Sequence, residues 1–97
     1  MYNPLPDSLD IQNSSIHGRG LFAVLDIPAK TNFGTSHVKF NSEMIRTALG
    51  AFYNHSESPN CIKVLRKNQY KTWYELESIK DIKAGEELTV SYTMYKI

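Results

Sequence analysis

An amide, an imidazole and a hydroxyl lie side by side at Asn54-His55-Ser56. A serine hydrolase would need the serine and imidazole to meet through space and a carboxylate to orient the base, and the sequence offers no evident acidic partner. Metal binding by His55, Cys61 and a carboxylate is a second alternative, but the spacing is not that of a zinc site. Asn, Ser and Pro also favour side-chain-capped turns, so Pro59 and Asn60 are expected to shape a loop.

Two glycines flank one residue at Gly18-Arg19-Gly20, just before an apolar run. Glycine lets the backbone approach a ligand closely and reach positive φ, so backbone N–H and C=O groups could face a bound cofactor. A dinucleotide fingerprint is not indicated, because the third glycine is missing and a strand is expected where a helix should begin. A tight hairpin connection remains the structural alternative.

The third stretch follows a glycine turn at Gly85 and ends in a tyrosine. Its apolar and polar residues alternate from Leu88 to Tyr92, as in a half-buried strand. An ordinary strand after a turn is therefore one interpretation of this stretch alone.

Taken in this order, the three stretches resemble the SET-domain family of protein lysine methyltransferases. The strings that carry the resemblance are His17-Gly18-Arg19-Gly20-Leu21-Phe22, Tyr53-Asn54-His55-Ser56-Glu57-Ser58-Pro59-Asn60-Cys61 and Ala84-Gly85-Glu86-Glu87-Leu88-Thr89-Val90-Ser91-Tyr92. The resemblance implies methyl transfer from S-adenosylmethionine to the side-chain amine of a protein lysine. It implies that Tyr92 is catalytic and that the cofactor is bound by Gly18, Arg19, Gly20, Asn54 and His55. Tyr53 and Tyr95 are candidate walls of the lysine channel, and no metal is expected.

Methyl transfer to an amine is an in-line displacement, so the lysine must be neutral although its ordinary pKa is about 10.4. An apolar channel and a nearby sulfonium charge both disfavour the ammonium form. Positioning can then supply much of the rate acceleration. Tyr92 suits this chemistry, since a phenol can orient the amine.

Size and composition fit one small globular domain. The 97 residues predict a single minimal SET domain over 1–97, with a core from about 9 to 92. A net charge of +1 gives no broad attraction for nucleic acid or a membrane. No secretory signal or long apolar run is visible, so an intracellular, soluble protein is expected. The basic cluster Lys63, Arg66, Lys67 and Lys71 is interpreted as a solvated strand face that could meet an acidic partner.

The elements expected to position these residues are mostly strands. Alternating or apolar runs predict strands at 9–12, 21–25, 62–66, 70–78 and 88–92, with one or two more within 31–40. One helix is predicted from Glu43 to Leu49, capped by Asn41 or Ser42 and closed by Gly50. The fold class is therefore mostly β. The resemblance adds a SET-domain, β-clip-like arrangement of short strands with a knot-like C-terminal threading.

Two functional interpretations remain open at this stage. In the first, the chain is a minimal methyltransferase acting on a protein that presents a lysine, with a histone-like protein as one candidate substrate. A homodimer is expected in this case, because the insert that builds one wall of the groove in larger family members is short here. In the second, the chain is a non-catalytic SET-like interaction module that still binds S-adenosylmethionine.

Overall fold

A computed structural model describes residues 5–96, with side chains described for 5–91. Its elements are β1 (Leu9–Asn13), β2 (Arg19–Ala23), β3 (Asn32–Phe40), β4 (Glu43–Arg46), α1 (Ala48–Phe52), β5 (Asn54–His55), β6 (Cys61–Lys67), β7 (Thr72–Ser78) and β8 (Thr89–Lys96). The mostly-β prediction is confirmed. No helix within the described range is long and apolar enough to cross a membrane.

The strands form two sheets. β1 and β2 pair antiparallel, with Leu9 opposite Ala23 and Asn13 opposite Arg19. The second sheet has the order β4-β3-β7-β6-β8-β5. Most of its neighbours are antiparallel, but β8 runs parallel to both β5 and β6. The C-terminal strand is thus inserted between two elements that precede it in the chain.

The short helix is present, but its predicted position from Glu43 to Leu49 is wrong, because only Ala48 and Leu49 of that range lie in α1. Residues Glu43–Arg46 form β4, which pairs with the end of β3 through a tight turn in which Asn41 has φ +57°. Asparagine tolerates this left-handed conformation, so it starts a hairpin instead of capping a helix. The helix begins after Thr47, whose hydroxyl donates a 2.6 Å hydrogen bond to the Thr35 carbonyl, and it runs past Gly50 to Phe52.

Several strand boundaries also differ from the prediction; β8, for example, extends to Lys96, and the differences at β2 and β7 have a visible cause. β2 ends at Ala23, because the chain turns there and leaves Val24 and Leu25 exposed. β7 begins at Thr72, since Asn68 holds the preceding turn by accepting the backbone N–H groups of residues 70 and 71 at 2.8 and 2.9 Å. A side-chain amide that accepts hydrogen bonds from its own turn commonly ends a strand in this way.

The buried core lies between the two sheets and extends beneath α1. Its members come from both sheets, the helix and the loops before β3 and β8: Leu9, Leu21, Ala23, Ile27, Phe33, Leu49, Cys61, Leu76, Ile82, Leu88 and Val90. Burial of apolar area at roughly 25 cal/mol per Å² is the main force that brings these elements together. Core residues lie close in the sequence to the segments that contain Gly18 to Gly20, Asn54 and Tyr92.

Candidate functional site

The Asn54 side chain joins the second stretch to the first. Its Nδ2 lies 3.1 Å from the His17 carbonyl oxygen and 3.4 Å from that of Arg19. The same nitrogen lies 2.7 Å from Glu87 Oε2 and 3.1 Å from Ser14 Oγ. An amide nitrogen carries two hydrogens, so four acceptors share them. The structure therefore brings the glycine pair and the Asn-His loop together, as the sequence predicts.

Ser14 and Glu87 complete this network, and the sequence analysis missed both. Ser14 Oγ donates to the Glu87 carboxylate, at 2.7 and 2.9 Å from its two oxygens. The serine oxygen also accepts the backbone N–H groups of Ile16 and His17 at 2.9 and 3.3 Å. Ser14 thereby folds the loop that leads to Gly18. The available signal was a carboxylate at the start of a buried strand, where it needs hydrogen-bond donors.

Gly20 lies in close contact with the network at β2. A Cβ added at this position would overlap Glu87 Oε2 and lie 2.9 Å from Glu87 Cδ and 3.2 Å from Asn54 Nδ2. Gly18 has φ +48°, a conformation that glycine adopts readily, and a Cβ there would have open space around it. One glycine thus leaves room for the half-buried network, and the other turns the backbone at the surface.

The third stretch meets the second through backbone pairing. In the parallel pair β5–β8, Asn54 lies opposite Thr89 and His55 opposite Val90. The backbone N–H of Ser56 donates to the Val90 carbonyl at 3.2 Å. The backbone of Tyr92 follows in the same strand. The side chains of Tyr92 and Tyr95 lie outside the described residues.

Asn60 fixes the far end of the loop. Its Nδ2 donates to the Glu87 carbonyl at 2.8 Å, and its Oδ1 accepts the Thr89 N–H at 2.8 Å. Pro59 is buried beside it, and Ser56 Oγ accepts the N–H of Ser58 at 3.1 Å. These contacts are those of a side-chain-capped loop, as expected for Pro59 and Asn60.

The arrangement also tests the alternative chemistries. Burial raises the pKa of the Cys61 thiol to about 12, so it is neither a thiolate nucleophile nor a ready metal ligand. Among the described residues, no group of three or more His, Cys, Asp and Glu side chains could hold a metal ion. His55 and Cys61 therefore do not form part of such a group within the described range.

The chemistry of the network suits a positively charged ligand with an ammonium group. The Glu87 carboxylate and the carbonyl oxygens of His17 and Arg19 all converge on Asn54 Nδ2, so acceptors outnumber donors there. An ammonium donates hydrogen bonds and accepts none. The Gly18 turn leaves the adjacent backbone accessible. These residues therefore fit the amino-acid end of S-adenosylmethionine.

Tyr53 lies on the other side of Asn54, at the wall of a cavity of about 260 Å³. Its ring meets the His37 imidazole edge-on, with centroids 6.2 Å apart. The cavity is lined by His37, Arg46, Gly50, Ala51, Tyr53 and Lys63. The pKa of His37 is lowered by burial and further by the charges of Lys63 and Arg46.

Comparison with known proteins gives three kinds of similarity. The sequence profile described as the SET domain matches residues 34–93. A histone-lysine N-methyltransferase of Schizosaccharomyces pombe is named as specific for H3 lysine-37. It is 30% identical to this chain over an alignment 109 residues long, which covers 87% of this chain and 72% of that protein.

Solved structures share the fold at lower identity. A candidate histone methyltransferase from Plasmodium falciparum superposes with a TM-score of 0.75 at 20% identity, covering 90% of this chain and 94% of that one. The Polycomb Repressive Complex 2 of Chaetomium thermophilum (ctPRC2), in an autoinhibited conformation bound to S-adenosylmethionine, gives a TM-score of 0.70 at 20% identity. That match covers 89% of this chain and 15% of the longer one.

Proposed function

Because the chain belongs to the SET-domain family of protein-lysine methyltransferases, which use S-adenosylmethionine as the methyl donor, we propose which of its residues carry that reaction and on what protein. The observation that carries the proposal is the convergence of the three stretches on Asn54. Its side chain reaches the Arg19 and His17 carbonyls, and its backbone pairs with β8. We propose a single SET domain over 1–97 with its core in 9–92, in keeping with a buried cluster that extends from Leu9 to Val90.

The cofactor is bound by Gly18, Arg19, Gly20, Asn54 and His55. When bound, S-adenosylmethionine supplies a methyl group activated by the sulfonium charge. The backbone around Arg19 and the Glu87 carboxylate offer acceptors to its ammonium, while the backbone of β5, the edge strand that contains His55, binds the adenine. Asn54 lies between the residues that bind the ammonium and those that bind the adenine. Its contact with Glu87 therefore helps to set the distance between these two parts of the cofactor site.

The substrate lysine is oriented by Tyr92, with Tyr53 and Tyr95 as walls of its channel. Val90 of β8 pairs with His55 of β5 and with Cys61 of β6. These pairs fix the register of β8, and so the position of the Tyr92 backbone, relative to Asn54 and His55. A phenol that accepts or donates a hydrogen bond holds the neutral amine in line for displacement, which is mainly a positional contribution to catalysis. Desolvation in a narrow channel disfavours the ammonium form of the incoming lysine.

The protein substrate is a histone, and histone H3 is the first candidate. The support is the relative of 30% identity, which is named as specific for H3 lysine-37. We further place the protein inside the cell, in accord with a single cysteine that is buried as a free thiol.

Methyl transfer to purified histones, followed with labelled S-adenosylmethionine, tests the residue assignments. Tyr92→Phe is expected to reduce transfer by at least about tenfold, while cofactor binding and the urea unfolding midpoint stay close to wild type. Tyr70→Phe is the matched control, because Tyr70 is exposed in the β6–β7 turn. Full turnover in a folded Tyr92→Phe protein would overturn the catalytic assignment.

Calorimetric titration with S-adenosylmethionine tests the cofactor residues separately. Asn54→Ala removes the amide that connects the Arg19 carbonyl to Glu87, so the affinity is expected to fall by about tenfold or more. Asn68→Ala, in the turn before β7, is the control for loss of an amide elsewhere. Equal affinity in wild type and Asn54→Ala would remove Asn54 from the site.

We also propose that the protein is a homodimer that associates through the β4 edge of the large sheet. All four β4 residues are exposed, and Phe40, Met44 and Ile45 are 63%, 46% and 49% accessible. An exposed apolar edge strand favours pairing with another chain. Sedimentation should give a dimer for wild type and a monomer for Ile45→Lys. Ile79→Lys, at an exposed site after β7, is the control. A wild-type monomer would contradict the proposal.

A further inference from the structure

The cavity beside Tyr53 is lined by nitrogen-bearing side chains and by no acidic residue. His37 and Arg46 face each other across the β3–β4 pair, and Lys63 approaches from β6. All ten acidic residues of the chain lie between Asp7 and Glu87, where side chains are described, and none of them lines the cavity. The surroundings of this cavity are therefore positive without a compensating carboxylate.

The charges at the cavity have no ion-pair partners among the described side chains. Across residues 5–91, the ion pair present is Arg66 with Glu75, on the exposed part of the sheet. Lys63 is held over the Tyr74 ring instead, with its Nζ 5.3 Å from the ring centroid. Burial and the charges of Lys63 and Arg46 all lower the pKa of His37, so no anion offsets their field at the imidazole. Such an arrangement attracts an oxyanion.

The size and place of the cavity indicate what that oxyanion belongs to. About 260 Å³ is below the usual range for a whole small-molecule ligand, but it accommodates one side chain with water. Tyr53 lines it and directly precedes Asn54, and Lys63 lies opposite Tyr95 in the β6–β8 pair. A group held there would belong to a polypeptide lying across the mouth of the proposed lysine channel.

We propose that this cavity binds an oxyanion carried by the protein substrate, an acidic or phosphorylated side chain near the target lysine, through Arg46, Lys63 and His37. This rests on the proposed function, since it assigns a specificity pocket to the same enzyme. The cations attract the oxyanion, and they disfavour entry of the substrate ammonium into the cavity. The target lysine is thereby directed to the neighbouring channel.

A titration with inorganic phosphate tests the cavity without using methyl transfer. The imidazole signals of His37 should shift saturably in NMR spectra, and the pKa of His37 should rise, because a bound anion favours the imidazolium form. His17 and His55 serve as internal references. Lys63→Gln and Arg46→Gln should each weaken phosphate binding about tenfold. Arg46 is exposed, so Arg46→Gln is expected to fold even if loss of the Lys63–Tyr74 contact destabilises the other variant.

Lys67→Gln is the matched control, because Lys67 is on the same strand as Lys63 but does not line the cavity. Its phosphate binding should equal that of wild type. NMR shifts that do not saturate with phosphate would mean an adventitious ion only. So would a loss of phosphate affinity in Lys67→Gln as large as that in Lys63→Gln, and either result would overturn the assignment of the cavity.

Peptides identify the source of the oxyanion. Matched peptides carry Gln, Glu or phosphoserine at successive positions around the target lysine. Wild type should prefer one of the anionic forms at one position by about tenfold in kcat/KM, and Lys63→Gln should abolish that preference while Lys67→Gln keeps it. An equal preference in Lys63→Gln would overturn the substrate assignment. If no peptide is methylated, the proposed function fails while the phosphate titration still decides whether the cavity binds anions.

Discussion

Replacing Asn54 by aspartate tests the network at the centre of the site most sharply. The substitution keeps the shape of the side chain but converts the donor Nδ2 into a charged acceptor. Glu87 Oε2 lies 2.7 Å from that atom, and the carbonyl oxygens of His17 and Arg19 lie 3.1 and 3.4 Å away. The variant therefore places an acceptor against three oxygens that cannot donate, one of which belongs to a carboxylate.

The size of the effect follows from Coulomb's law. At an effective dielectric constant near 20, suited to partly buried groups, two unit charges 2.7 Å apart repel by about 6 kcal/mol. Relaxation to about 4 Å reduces this to about 4 kcal/mol. We therefore expect Asn54→Asp to lower the free energy of unfolding by about 3–5 kcal/mol at pH about 8, including the lost hydrogen bonds.

The pH dependence separates charge repulsion from simple loss of packing. Two adjacent carboxylates bind a proton more readily in the folded variant than in the unfolded chain. The folded state then holds more protons, so stability falls as pH rises and recovers as pH falls. Urea unfolding of Asn54→Asp should show most of the loss at pH about 8 and a smaller loss at pH about 5.

The double variant Asn54→Asp/Glu87→Gln reverses the direction of the hydrogen bond, with the introduced amide as donor. At pH about 8 the double variant should regain about half of the unfolding free energy that Asn54→Asp loses. The recovery is incomplete because the His17 and Arg19 carbonyls still face the introduced oxygen. If Asn54→Asp is as stable as wild type, or loses the same stability at both pH values, the placement of Asn54 Nδ2 against Glu87 is refuted.

Three further predictions concern stability and reactivity. Gly50→Ala should destabilise the fold by about 2 kcal/mol or more in urea, despite the higher helix propensity of alanine, because its Cβ overlaps the Ser36 carbonyl oxygen. Cys61 should resist iodoacetamide at pH about 8 until the protein unfolds, because burial raises its thiol pKa to about 12. Hydrogen bonds, first that from the Trp73 indole, lower the pKa of Glu75 below its usual 4.5. The ionised Glu75 side chain stabilises the fold above pH 4.5, and this stabilisation is lost as pH falls through the lowered pKa. Glu75→Gln should therefore reduce the loss of unfolding free energy at acidic pH.

Each of these has a contrary outcome. A Gly50→Ala protein more stable than wild type would mean that α1 does not lie against the β3 carbonyl. Rapid alkylation of native Cys61 would contradict its burial. An unchanged acid limb in Glu75→Gln would show that its hydrogen bonds do not persist in solution.

The meeting of the three stretches was predictable from the sequence because their residues are of rare type and order. The strings around Gly18, Asn54 and Tyr92 carry the family resemblance, and the structure brings Asn54 to the first string and its backbone to the strand of the third. Ser14 and Glu87 were not predictable, because each is an ordinary polar residue whose role depends on a partner 73 positions away.

The error at α1 has a physical cause. Ile45, Ala48, Leu49 and Phe52 have helical spacing, but the chain before Thr47 pairs with β3, and this tertiary pairing overrides a short apolar stripe. The basic cluster was only partly a solvated face. Arg66 pairs with Glu75 and Lys71 lies over Trp73, whereas Lys63 turns into the cavity. The alternation of apolar and polar residues along one strand does not show which residues of other strands lie nearby. The cavity, which is lined by residues of several elements, could therefore not be predicted from the sequence.

The position of β8 affects the order in which the protein can fold and come apart. β5 lies at the edge of the large sheet beside β8, and it contains Asn54 and His55. The two-residue β5 can therefore be in place only after a strand more than thirty positions later has docked, a non-local closure of the kind that slows folding. The antiparallel hairpins β3–β4 and β6–β7 need no such closure. Partial opening that releases β8 would dismantle the proposed methyl-transfer site while these hairpins stay paired, so methyl transfer should be lost at milder stress than overall structure.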